Sequence, residues 1–139
     1  MSKKKSIAFV NQFIGLPWSE EFNCFWLART IALERDCEVP SQHTAEGHLL
    51  REKMLAGEMS LWLQPLLDPE PWCWILWDLK SFGLHVGTMI DVPGKFIHVG
   101  EFTKTSRIDR LKNKLYKRPY GYYRLINPLG DAAGSARPD

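Results

Sequence analysis

Apolar positions recur at helical spacing in the first half of the chain and at strand spacing in the second. From Cys24 onward, Leu27, Ala28 and Ile31 fall on one stripe, while Arg29, Glu34 and Arg35 point elsewhere. Asn23 stands just before that stripe, where its side chain can accept from an early helical N–H, so a helix begins here. Thr44 is placed to cap a second helix running to about Ala56, with Leu49, Leu50 and Leu55 inward and Gly57 interrupting it. Met59, Trp62, Leu63 and Leu67 then predict a further helical turn before Asp68-Pro-Glu-Pro71. Residues 1–17 predict a strand or extended arm followed by a turn at Gly15-Leu-Pro17.

After Pro71 the period shortens. Trp72-Cys-Trp-Ile-Leu-Trp77 is rich in β-formers and predicts a central strand. Leu84–Ile90 and Lys95–Val99 predict two more, joined through Pro93-Gly94 as an antiparallel hairpin. A short strand and a helical turn around Ile108, Leu111 and Leu115 follow, and Pro119–Ile126 returns to strand character. Helices first and strands afterwards imply an α+β fold, N-terminal helices packed on a small antiparallel sheet. The expected organisation is one domain over residues 1–126 and a flexible tail over 127–139, rich in Gly, Ala, Asp and Pro.

Length and composition narrow this little. The 139 residues, 45% hydrophobic and 24% charged, suit a globular chain that buries its own core. A net charge of +2 names no partner. Between Lys104 and Arg118 seven basic residues surround the single acid Asp109; such a run is usually a solvated face, and no nucleic acid is expected as a partner. Cys24, Cys37 and Cys73 are odd in number, with no paired spacing for disulfides or zinc, and no cofactor is expected. The basic start Met1-Ser-Lys-Lys-Lys precedes only four apolar residues, too few for an export signal, and no apolar run reaches membrane-span length. The expectation is a chain made in the cytoplasm and carried elsewhere, if at all, by another vehicle.

The chemistry concentrates at Cys24. A thiol at a helix mouth meets unpaired N–H groups and the positive end of the dipole, which favour the thiolate. On an apolar stripe a cysteine is more often a small core residue. His85 and His98, thirteen residues apart on the two arms of the expected hairpin, change that balance. Adjacent strands set side chains about 5 Å apart, close enough for one imidazole to bond the other. A nucleophile, a base and an orienting group are then at hand. His43 and His48 have no partner at metal-ligand spacing and read as surface residues. Of the six tryptophans, Trp62, Trp72, Trp74 and Trp77 read as core, and Trp18, beside a turn before Cys24, as a wall for substrate.

The helix-start Cys24, the strand His85-Val-Gly-Thr-Met-Ile90 and Phe96-Ile-His98 together resemble the NlpC-type cell-wall cysteine peptidases, a compact papain-like family. Gly15-Leu-Pro-Trp18 and Gly121-Tyr-Tyr-Arg124 resemble especially its phage and prophage tail-assembly members. The resemblance covers roughly residues 10–125. It implies a papain-like fold with Cys24 as nucleophile, His85 as general base and His98 orienting His85. It also implies hydrolysis of amides in peptidoglycan stem peptides, no cofactor, phage tail proteins as partners and association with a virion. The chain departs from the family pattern at Asn23, where Asp is common, at Phe25-Trp26, where Ser-Gly is common, and at Phe13, near a frequent tyrosine. Two rivals remain: acyl transfer or thioester hydrolysis with the same triad, favoured by a more apolar cleft, and a tail component that binds without catalysis.

Overall fold

The computed structural model describes residues 3–79, 83–116 and 118–128. Three helices, α1 (Lys3–Asn11), α2 (Cys24–Glu34) and α3 (Ala45–Ala56), precede six strands. These are β1 (Leu63–Leu66), β2 (Trp74–Leu79), β3 (Gly83–Met89), β4 (Lys95–His98), β5 (Arg107–Arg110) and β6 (Gly121–Leu125). They form one sheet in the order β1-β6-β2-β3-β4-β5, every neighbouring pair antiparallel. The arrangement is the expected α+β one, and β2 is an interior strand as expected. No described helix is long and apolar enough to cross a membrane.

The two faces of the sheet bury different things. On one face Trp74, Leu76 and Val86 pack with Ala28 and Ala32 of α2 and Leu50 and Met54 of α3. Farther along the same face, Ile90, Ile97 and Val99 meet Leu27 and Ile31 of α2, with Val10 and Phe13 beside them. The other face gathers Cys73, Ile75, Trp77, Met89, Phe96 and Tyr116. Side chains alternate along a strand, so His85 leaves β3 toward Trp77, its partner across β2, while Val86 turns to the helices.

Several expectations need correcting. Lys3–Asn11 form helix α1 rather than an extended arm. Ile7, Phe9 and Val10 are β-formers in isolation, but Phe9 and Val10 join Phe13 in a buried cluster, Phe9 lying edge-on to Phe13 and Trp72; tertiary burial overrides weak propensity. The helical turn expected around Met59 is absent: Leu63–Leu66 pair with β6, and Met59 and Leu67 are exposed. In α3 the inward face is Gly47, Leu50 and Met54, and Leu49 points out. Separately from these corrections, Asn127 O accepts from Glu38 N at 2.7 Å and Pro128 pairs with Cys37. Residues 129–139 lie outside the described ones.

Candidate functional site

Asn23 caps α2 as its sequence position implies: its Oδ1 accepts from Trp26 N at 3.0 Å. Its amide also exchanges hydrogen bonds with Gln42, tying the helix mouth to the loop before α3. The bulky pair after Cys24 is absorbed to two sides, Phe25 edge-on to Trp74 and Trp26 edge-on to Phe22.

The thiol of Cys24 lies against the backbone N–H of Val86, and the reason is in the strand register. Met89 N donates to Cys73 O on the β2 side, whereas Ile90 N donates to Lys95 O across the hairpin. Odd-numbered N–H groups of β3 therefore face β2 and even-numbered ones face β4. Yet β3 pairs with β4 only at Thr88↔Ile97 and Met89↔Phe96. Toward His85 the two strands are no longer paired, so the Val86 N–H is directed at the opening between them, on the side where Cys24 and Val86 line one cleft.

Two imidazoles stand beside that gap. His85 Nε2 and His98 Nδ1 are 2.7 Å apart, both rings buried. The expected hairpin thus brings His85 and His98 together as its spacing implied. No hydrogen bond joins Cys24 to His85; the bonded nitrogen of His85 is the one facing His98. Phe102 and Trp77 flank the His85 ring at centroid distances of 5.1 and 5.7 Å. Gly100 leaves the space: a Cβ there would sit 2.6 Å from the Phe102 ring and 3.3 Å from His85 Cε1.

The pair continues to a residue that the sequence reading passed over. His98 Nε2 and Asp109 Oδ2 are 2.7 Å apart. The same oxygen accepts from Arg107 Nε at 2.8 Å and from Tyr116 Oη at 3.4 Å. The signal was available, since Asp109 is the single acid in a basic run, two positions from Arg107 on a strand.

Burial sets the resting charges. It pushes the Cys24 thiol up, outweighing the opposite pull of the Val86, Phe25 and Cys24 N–H groups. The expectation that the helix mouth lowers this pKa is thereby corrected: the Cys24 and Phe25 N–H groups act as supposed, joined by Val86 of β3, but desolvation is larger. Burial, with His98 adding to it, pushes His85 down to about 3. Burial also lowers His98, partly offset by Asp109. Burial alone would raise Asp109, but hydrogen bonds from His98 and Arg107 hold it below the usual carboxylate range. These shifts favour a neutral thiol at Cys24, neutral imidazoles at His85 and His98, and an ionised carboxylate at Asp109.

A cleft of about 290 Å³ opens on the helix side of Cys24. Phe25, Leu76, Leu84 and Val86 give it apolar walls, and Arg51 and two histidines line it too. Those histidines are His43 and His48: they are exposed as expected, but they belong to the cleft rather than to an indifferent surface. Trp18 is not among the residues lining this cleft; it packs with the cluster of Val10, Phe13 and Leu27, and its backbone N–H donates to Lys104 O at 2.8 Å.

No family profile matches the sequence, and no curated protein matches it. Among solved structures, the fold is similar to the crystal structure of the NlpC/p60 domain of the peptidoglycan hydrolase SagA. The TM-score is 0.58 at 14% sequence identity, over 89% of this chain and 99% of that one. The likeness shows the fold: three helices and a six-stranded antiparallel sheet in the papain-like arrangement of an NlpC/p60 domain.

Proposed function

We propose that the chain is a cysteine peptidase that hydrolyses amide bonds in peptidoglycan stem peptides, with Cys24 as nucleophile, His85 as base and His98 orienting it. The observation that carries this is that Cys24 shares its cleft with Val86, the residue that follows His85 of a hydrogen-bonded histidine pair. The fold it shares with a domain of a peptidoglycan hydrolase supports the same substrate class. Order and spacing of the sequence motifs support it independently.

With thiol and imidazole both neutral at rest, the site works by general-base catalysis rather than through a standing ion pair. As sulfur bonds to the amide carbon, its proton passes to His85 through Nδ1, the nitrogen that His98 leaves free. The N–H of Val86 or of Cys24 is placed to steady the oxyanion. The C–N bond then breaks and the amine leaves with the proton from His85. Water, deprotonated by His85, cleaves the thioester and restores the thiol while releasing a carboxylic acid. Arg51 at the cleft suits the carboxylates that stem peptides carry. A phage or prophage tail setting is supported by Gly15–Trp18 and Gly121–Arg124 alone.

The apolar walls of the cleft favour a second reading, transfer or hydrolysis of a fatty acyl group by the same residues. Purified muropeptides incubated with the native chain and with Cys24→Ala, then resolved by mass spectrometry, separate the two. Cut stem peptides from the native chain alone support the peptidase. Turnover of a long-chain acyl thioester with intact muropeptides supports the acyl reading, and inertness toward both overturns enzymatic function.

A further inference from the structure

We infer that Asp109 is a positioning residue that, acting through His98, fixes which nitrogen of His85 carries the proton. The inference rests on the proposed roles of Cys24 and His85, and it comes from following donors and acceptors along the chain of contacts. A carboxylate only accepts, so the proton shared between Asp109 and His98 must sit on His98 Nε2. A neutral His98 then presents a lone pair at Nδ1. The contact of 2.7 Å with His85 is satisfied only if His85 donates from Nε2. His85 Nδ1 is left as an unprotonated lone pair, the form a general base needs.

Without the carboxylate nothing enforces that direction. His98 could carry its proton on Nδ1 and donate to His85 Nε2. His85 would then be protonated at Nδ1 and could not take the thiol proton. The same tautomer argument governs the histidine of serine proteases, where an aspartate acts on the base directly; here it acts one imidazole farther away.

The sheet is built to hold the relay. β4 pairs with β5 so that His98 faces Arg107 and Phe96 faces Asp109, which sets the carboxylate one diagonal step from His98. Arg107 and Tyr116 both donate to the oxygen that His98 uses, holding the acceptor in place. The Tyr116 phenol, pushed up to about 12 by burial and by Asp109, stays a donor. Phe96 and Tyr116 pack against the His98 ring and keep its side of the contact buried.

Long-range ¹H–¹⁵N correlation spectra of histidine-labelled protein at neutral pH read the tautomers directly. The native chain should show both His85 and His98 protonated at Nε2. Asp109→Ala should lose that single pattern, with His85 becoming a mixture or turning to Nδ1–H, and kcat on a muropeptide should fall roughly 100-fold with little change in KM. Asp109→Asn, which keeps an oxygen for His98 and Arg107, should retain more of the native tautomer and of kcat. Native His85 protonated at Nδ1, or an unchanged His85 tautomer in folded Asp109→Ala, overturns the role of Asp109 even if muropeptides are cut. The expected tautomers in a protein whose native form cuts nothing overturn the hydrolase reading and leave the relay standing.

Discussion

Asn23 shows how much a single position can be worth. Its Oδ1 caps α2 at Trp26 N, and its amide reaches Gln42 and Glu20 O. Asn23→Ala should lower unfolding stability by about 1 kcal/mol, read from urea titration, whereas Asn23→Asp keeps the acceptor and should lose less. The cap and the buried stripe of Leu27, Ala28 and Ile31 were legible in the sequence because helix spacing and capping are local rules. The resting state of Cys24 was not, since the opposing effect, desolvation between α2 and β3, arises only once distant elements meet. Asp109 escaped for the same reason: its partner His98 is on another strand, and a lone acid among seven bases reads first as charge balance.

Elements dock here through glycines more than through charge. Gly47 sits in the first turn of α3 where an added Cβ would come 2.0 Å from Ser41 O. Alanine gains about 1 kcal/mol of helix propensity over glycine, but the obstacle is backbone and cannot rotate away. Gly47→Ala should therefore destabilise the protein despite that gain, and should move the cleft wall carried by His48 and Arg51; a falling urea midpoint checks the sign. Gly87 does comparable service beneath the histidine pair, where a Cβ would press Trp77 and Phe96 at 3.1 Å each. Gly87→Ala should cost roughly 1–3 kcal/mol by overpacking, measured in the same way. The β3–β4 hairpin was legible from Pro93-Gly94 and alternation, while helix α1 and strand β1 were not. Both are decided by what they pack or pair with: Phe9 and Val10 by a cluster drawn from α2 and the hairpin, Leu63–Leu66 by β6 some sixty residues away.

Across the whole molecule the buried relay ties stability to pH. His85 is pushed down to about 3 and His98 is lowered, each from an ordinary value near 6.5, and Asp109 is lowered from near 3.8. In every case the unfolded chain binds a proton before the folded one does, so stability is complete near pH 7 and declines as pH falls below about 6.5. One such histidine contributes a slope of about 1.4 kcal/mol per pH unit. Urea midpoints of the native chain should drop between pH 7 and pH 5 more steeply than those of His85→Gln, which has no proton to gain. The α+β class and the order of helices and strands could be read from periodicity, but the early end of the β3–β4 pairing could not. His85 and Val86 leave the strand on opposite faces, so catalysis requires the sulfur and the imidazole to meet through that opening. The rate at which iodoacetamide alkylates Cys24 near neutral pH, followed by peptide mass spectrometry in the native chain and in folded His85→Ala, measures that meeting. Cys24 alkylation should slow by about tenfold or more without His85; equal rates with and without the imidazole would contradict it.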